Sequence, residues 1–233
     1  FSNFDGSIQS NISPNSTSFF SIVSYTGTAA NATIGHGLAV APKVLMVKNR
    51  SAGDDWAVYH DSLATDKYLR LNQNSAQETG TPMWNDTAPT SSVFSVGTYH
   101  NSNGPSENMV AYCFAEKKGY SKFGSYAGNN NADGAFVYTG FKPAFLIVKR
   151  YGGGTQDWMI YDNKRLGYNG GSRIQPANTN VSEGTSNAVD LLSNGFKMRT
   201  SDGNSNGYSD GYIYMAFAEN PLVGTNNIPA TAR

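Results

Sequence analysis

The chain has 233 residues, and seventeen basic side chains balance seventeen acidic ones. No net field draws it toward nucleic acid and no apolar run is long enough for a membrane span, so neither partner is expected. The one cysteine, Cys113, excludes an internal disulfide and a thiolate metal cluster, and in the run "MVAYCFA" it reads as a small buried hydrophobe.

In chain order, residues 1–18 ("FSNFDGSIQSNISPNSTS") show little periodicity and are expected to form an extended lead-in. The runs "FFSIVSY", "VLMVKN", "WAVYH", "YLRL", "SVFSVGTY" and "MVAYCFA" follow. They are short, rich in β-branched and aromatic residues, and bounded by Gly, Pro, Asn or Ser, so each predicts a strand. A second series answers the first: "AFVYTG", "AFLIVKR", "WMIYD", "SRIQ", "GFKMR" and "YIYMAFA". No window carries a helical stripe, and "SNAVDLLSNG" suits one helical turn or a short strand.

The two series are copies. "SYTG" returns as "SYAG", "APKVLMVKNR" as "KPAFLIVKR", Asp55-Trp56 as Asp157-Trp158, and both "NSNG" and "FAE" recur, each about a hundred residues later. The pattern predicts an all-β chain of two tandem sandwiches of jelly-roll or lectin-like type, with one merged sandwich as the alternative. The expected divisions are a lead-in over 1–18, repeats over 19–124 and 125–224, and an extended tail over 225–233.

Aromatics at matched positions read as fold requirements. Trp56, Trp158, Tyr59, Tyr161, Phe114 and Phe217 are therefore predicted core residues, the tryptophans as inter-sheet anchors. Trp84, in the Pro-flanked "TPMWNDTAP", has no counterpart and reads either as a packed loop anchor or as a ligand-facing ring. Charged residues are only 15% of the chain, so amides, hydroxyls and fourteen tyrosines supply much of its polarity. Tyr99, Tyr151, Tyr168 and Tyr208 lie near loops, where rings and amides suit contacts to sugars.

No catalytic constellation is visible, and no cofactor is expected. The three histidines form no zinc spacing; His36 reads as a polar loop residue, and His60 is replaced by Asp162 in the second copy. Asp54, Asp55, Asp61, Asp157, Asp162, Glu116 and Glu219 are acids available for glycoside cleavage, although sequence fixes no separation between them. Asp202, Asn204, Asn206 and Asp210 fall at ligand positions of a calcium loop. Ile213 stands where the closing acid belongs, and a polar hairpin loop is the better reading.

Taken together, "FSIVSYTG", "IGHGLAVAPKVLMVKNR", "DWAVYH", "VAYCFAEKKGYSKFGSYAGN", "DGAFVYTGFKPAFLIVKR", "WMIYDNKR" and "YIYMAFAENPLV" resemble a repeat-containing domain of tailed bacteriophages and prophages. That domain occurs in tail-fibre-like and other virion-associated proteins, sometimes after a lectin-like SPRY sandwich. The resemblance implies a non-enzymatic virion surface protein, as in fibres, spikes or decorations, and a virion location. Its partners would be other virion proteins, further copies of itself, and a host-surface glycan. The alternatives are a purely architectural virion component and a polysaccharide depolymerase.

Overall fold

The computed structural model describes residues 1–165, 169, 173–209 and 211–218. It is an all-β chain of antiparallel sheets. Two compact units form, one from 1–72 with 77–116, the other from 73–76 with 117–233.

In the first unit the strands are β1 (Ser2–Asn3), β2 (Ser10–Asn15), β3 (Phe20–Thr26), β4 (Ala32–Gly35), β5 (Val44–Asn49), β6 (Ala57–His60), β7 (Lys67–Arg70) and β8 (Glu78–Thr79). A helical turn α1 (Thr81–Trp84), strand β9 (Val93–Val96), a second turn α2 (His100–Asn103) and β10 (Asn108–Phe114) complete it. The large sheet runs β1-β2-β3-β10-β5-β6-β7-β8, and β4 pairs with β9 in a small one. Val23, Tyr25, Leu45, Val47, Tyr59, Ala111 and Cys113 from the large sheet meet Ile34, Phe94 and Val96 from the small one in a shared core. Burial of that apolar area is the main favourable term holding the layers together.

The second unit contains β11 (Ser121–Ala127), β12 (Phe136–Tyr138), β13 (Pro143–Arg150), β14 (Met159–Asp162), β15 (Arg173–Pro176), β16 (Gly184–Thr185), β17 (Val189–Leu192), β18 (Gly195–Met198) and β19 (Gly211–Ala218). Its large sheet runs β11-β19-β13-β14-β15-β16, the same order as β3-β10-β5-β6-β7-β8. The small sheet is β12-β18-β17, and the ambiguous "SNAVDLLSNG" supplies β17. Leu146, Val148, Tyr161, Tyr212 and Tyr214 pack there on Val137, Leu191, Phe196 and Met198. No described sheet mixes strands of the two units.

Three expectations need correction. The lead-in is not merely extended: β2 pairs along β3 from Ser10↔Tyr25 to Asn15↔Phe20 and sends Ile12 into the core. The boundary set between 124 and 125 cuts through β11, because the visible "SYAG" landmark lies inside a strand that already starts at Ser121. Phe114 and Phe217 are not core residues. In β10 the core takes Met109, Ala111 and Cys113, so the opposite phase, with Phe114 half-buried, points away from it. Phe217 is half-buried too, on the phase opposite Tyr212, Tyr214 and Ala216. The tail over 225–233 lies outside the described residues.

The repeated landmarks have a physical basis. In "NSNG", Asn103 is fully buried; its Oδ1 accepts Thr28 N–H (2.8 Å) and its Nδ2 donates to Ala30 O (2.7 Å) and Gly97 O (2.8 Å). Asn206 does the same in the second unit, accepting Asn129 N–H (3.2 Å) and donating to Asn131 O and Thr200 O (2.8 Å each). Tyr25 and Tyr126 donate their hydroxyls to Ser102 O and Ser205 O, each at 2.5 Å. These bonds satisfy buried loop backbone that no strand can pair.

"DW" is a second staple. Trp56 N–H donates to Asn72 Oδ1 (2.9 Å), and Asn72 Nδ2 donates to Asp55 Oδ1 (2.7 Å). Trp158, Asn178 and Asp157 repeat both bonds at 2.8 Å. The acid and the backbone N–H ahead of the strand thus lock the facing loop in both copies.

Candidate functional site

Most of the loop candidates prove to be packed. Trp84 is 1% exposed, held by α1 against Tyr59 with ring centroids 5.9 Å apart, so the ligand-facing reading is wrong for it. Pro82 lies in the first turn of that helix, where its missing N–H leaves no bond unmade. Tyr99 packs at the core margin beside Tyr68 (6.0 Å), and Tyr151 lies half-buried over Gly211. Tyr208 is exposed and carries the Arg150 guanidinium 3.7 Å above its ring. Tyr168 lies outside the described residues.

The polar candidates are likewise engaged in the fold. Asp202 Oδ1 accepts Asn204 N–H (2.9 Å), Asn204 Oδ1 accepts Asp157 N–H (2.8 Å), and Asn206 is the staple described above. Asp210 and Glu219 lie outside the described residues. His36 is the polar loop residue expected, and it is fully buried. Its Nδ1 accepts Leu38 N–H (3.2 Å) and its Nε2–H donates to Thr90 O (3.1 Å). Burial pushes its pKa down, which keeps it neutral in that arrangement. Its counterpart Thr139 accepts Phe141 N–H (3.4 Å), and in both copies the next residue is a glycine at positive φ, Gly37 or Gly140. His60 and Asp162 also share one task, accepting the N–H two residues on.

Among the described residues, the outer face of the first unit's large sheet keeps aromatic surface in water. Because Val23, Tyr25, Met109 and Ala111 point to the core, Ile22, Ser24, Val110 and Tyr112 point away. Phe20 and Tyr112 lie nearly parallel with centroids 6.3 Å apart and planes 10° apart, and Tyr112 continues to Trp56 at 6.0 Å and 26°. Phe20, Tyr112 and Trp56 are half-buried, and Ile22 among them is 40% exposed. Trp56 is therefore no inter-sheet anchor. Nor is Trp158: Met159 and Tyr161 point into the second unit's core, so Trp158 lies on the opposite phase, buried at 1% exposure but outside that core.

Along the same sheet the face turns polar. Gln9, Asn11, Ser24, Thr26, Asn108 and Arg50 line a cleft of about 510 Å³. No carboxylate lines it. Four of the acids considered for hydrolysis are engaged elsewhere: Asp55 with Arg70 (3.3 Å), Asp61 with Lys43 (2.9 Å), Asp157 with Asn178, and Asp162 with Arg165.

Next to the cleft lies a cluster that sequence reasoning missed. Asp54 Oδ2 is 2.7 Å from His100 Nδ1, and Glu107 Oε2 is 3.3 Å from His100 Nε2. The hydrogen bond to Asp54 raises the pKa of His100. The wholly buried Asn49 donates from Nδ2 to Asp54 Oδ2 (2.7 Å) and to Glu107. Asp54 is 46 residues from His100 in sequence, and only "YHNSNG", where the first copy departs from the second, marks the place.

Comparison with known proteins gives a family and nothing beyond it. Residues 1–221 match the family described as a domain of unknown function, DUF7483, and the chain belongs to that family. No curated protein and no solved structure shows a significant match.

Proposed function

We propose that this chain is a non-catalytic binding module of a virion surface, which attaches to host-surface glycan through the outer face of its first unit. The observation that carries the binding half is the strip Phe20–Tyr112–Trp56, half-open to solvent and bordered by an amide-rich cleft. A flat aromatic surface takes the apolar face of a sugar ring, while Asn11, Gln9, Asn108 and Arg50 offer donors and acceptors for its hydroxyls. No carboxylate lines the cleft itself, and the neighbouring Asp54 and Glu107 converge on Asn49 and His100 instead of flanking a bond site, which favours holding over cleaving. The virion half rests on the resemblance in sequence alone. A glycan array and a host-cell adsorption assay with purified protein test the reading, with Trp56→Ala and Tyr112→Ala as controls. Binding that both substitutions abolish is the expected result, and blank assays for the unaltered chain would remove the adhesive function.

The purely architectural reading has one observation in its favour. Strand β12 is the edge of the small sheet in the second unit, and Phe136 and Tyr138 on it are 48% and 63% exposed. Open edges with exposed aromatics suit another protein chain. Assembly lost in a Phe136→Ser, Tyr138→Ser variant, with glycan assays blank throughout, would favour this role.

A further inference from the structure

We propose that Asp54, His100 and Glu107 form a binding site for one divalent transition-metal ion of the zinc or manganese type. One ligand atom from each of the three lies within 4.8 Å of the others. They arrive from separate segments: the loop after β5, the first residue of α2, and the turn before β10. Asn49 holds the two carboxylates together from the buried side. Its Oδ1 is fixed by Ser51 N–H (3.0 Å), so its Nδ2 must face them. Their side chains are 24% and 22% exposed, while His100 is 48% exposed and closes the group on the solvent side.

Without an ion, a single imidazole faces two carboxylates, so even its protonated form leaves the three side chains with a net negative charge. Two part-buried carboxylates converge, Asn49 is neutral, and Lys48 directs its Nζ instead to the carbonyls of Ala52 (3.1 Å) and Asp54 (2.6 Å). The second unit solves the same place differently. Arg150 stands where the first unit has Asn49, Gln156 where it has Asp54, and Gly203 where it has His100. Gln156 lies against Gly203 much as Asp54 lies against His100, since a Cβ on Gly203 would meet Gln156 Nε2 at 3.0 Å. The copy without the acid–histidine pair thus carries a built-in guanidinium, whereas the copy with that pair carries an amide in its place. An imidazole nitrogen with two carboxylate oxygens is a donor set for zinc or manganese, and three protein ligands leave room for water. The ion would tie together the chain next to Arg50 and Asn108, both of which line the cleft. The proposal does not depend on the glycan reading.

The test uses tag-free protein freed of metal by a chelator, titrated calorimetrically with Zn²⁺, Mn²⁺ and Ca²⁺ as chlorides. Competing ligands are few, because Cys113, His36 and His60 are all buried. One Zn²⁺ or Mn²⁺ per chain is expected, with a higher midpoint of thermal unfolding. His100→Ala and His100→Gln, both at an exposed position, are expected to keep the far-ultraviolet strand signal and lose at least tenfold in affinity. No stoichiometric uptake of Zn²⁺ or Mn²⁺, uptake of Ca²⁺ alone, or equal uptake in the His100 variants would each overturn the assignment.

Discussion

The two units share one strand order and the same staples, yet the outer faces of their large sheets have diverged. Around Trp158 that face holds Ile213 and Met215, all at 3% exposure or less. Around Trp56 it holds Tyr112 and Phe20, which keep part of their surface in water. The inner face of each sheet must fit a second layer, so its residues are constrained by packing. The outer face is packed to the same degree only in the second unit, where Trp158, Ile213 and Met215 are buried; in the first unit the matched face keeps aromatic surface in water.

The largest expected effect breaks that contrast directly. Trp158→Ala removes a fully buried indole and is expected to cost about 3–5 kcal/mol. Trp56→Ala is expected to cost about 1–2 kcal/mol, since half the ring's transfer energy is already forgone. Urea unfolding of both variants measures the pair, and equal losses would mean that the two tryptophans do the same job.

Lysines at matched positions sharpen the comparison next. Lys48 Nζ binds two local carbonyls, and its counterpart Lys149 is wholly buried, donating to Gln156 O (2.7 Å) and Asn74 O (3.2 Å). Burial lowers the pKa of Lys149 from 10.5 to about 8. Below about pH 8 the folded and unfolded chains both carry the ammonium, so its burial penalty is constant. Between about 8 and 10.5 the unfolded chain binds more protons, and stability rises with pH by about 3 kcal/mol in all. Urea unfolding at pH 7.5 and 10, compared between wild type and Lys149→Met, isolates that rise; a difference that stays flat would contradict the buried ammonium.

The staples are expected to behave alike in both units. Asn103→Ala and Asn206→Ala each orphan buried backbone groups and should cost about 2 kcal/mol. Asp at either position keeps the acceptor and loses the donors, so it should be no better. A large loss in one unit and none in the other would show that the matched hydrogen bonds do not carry matched weight.

These asparagines also show why the fold was legible in the sequence. Asn103, Asn206, the two Asp-Trp pairs and the glycines after His36 and Thr139 each satisfy a local backbone demand that no other residue type meets as well. They therefore recur in order and reveal the duplication. Strand phase was harder to read. "MVAYCFA" is apolar on both sides, so Phe114 looked as suited to the core as Cys113. Strand β2 was hidden because "SNISPN" pairs through its backbone and contributes one apolar side chain, Ile12. The aromatic strip and the acid–histidine cluster were out of reach. Phe20, Trp56 and Tyr112 meet across three strands, and Asp54, His100 and Glu107 meet only after the loops close over β5.

The smallest effect tests the one loop tyrosine that stays exposed. Tyr208 invites a ligand role by its position, yet its ring already carries the Arg150 guanidinium at 3.7 Å. An exposed cation–π contact contributes about 0.5–1 kcal/mol. Tyr208→Ala should therefore lower the stability of the second unit by no more than that, and should leave the proposed glycan binding by the first unit unchanged. Tyr112→Ala should do the reverse, sparing stability more than binding. Should glycan binding fall with Tyr208→Ala and survive Tyr112→Ala, the binding surface would belong to the second unit, and the divergence of the two outer faces would need another cause.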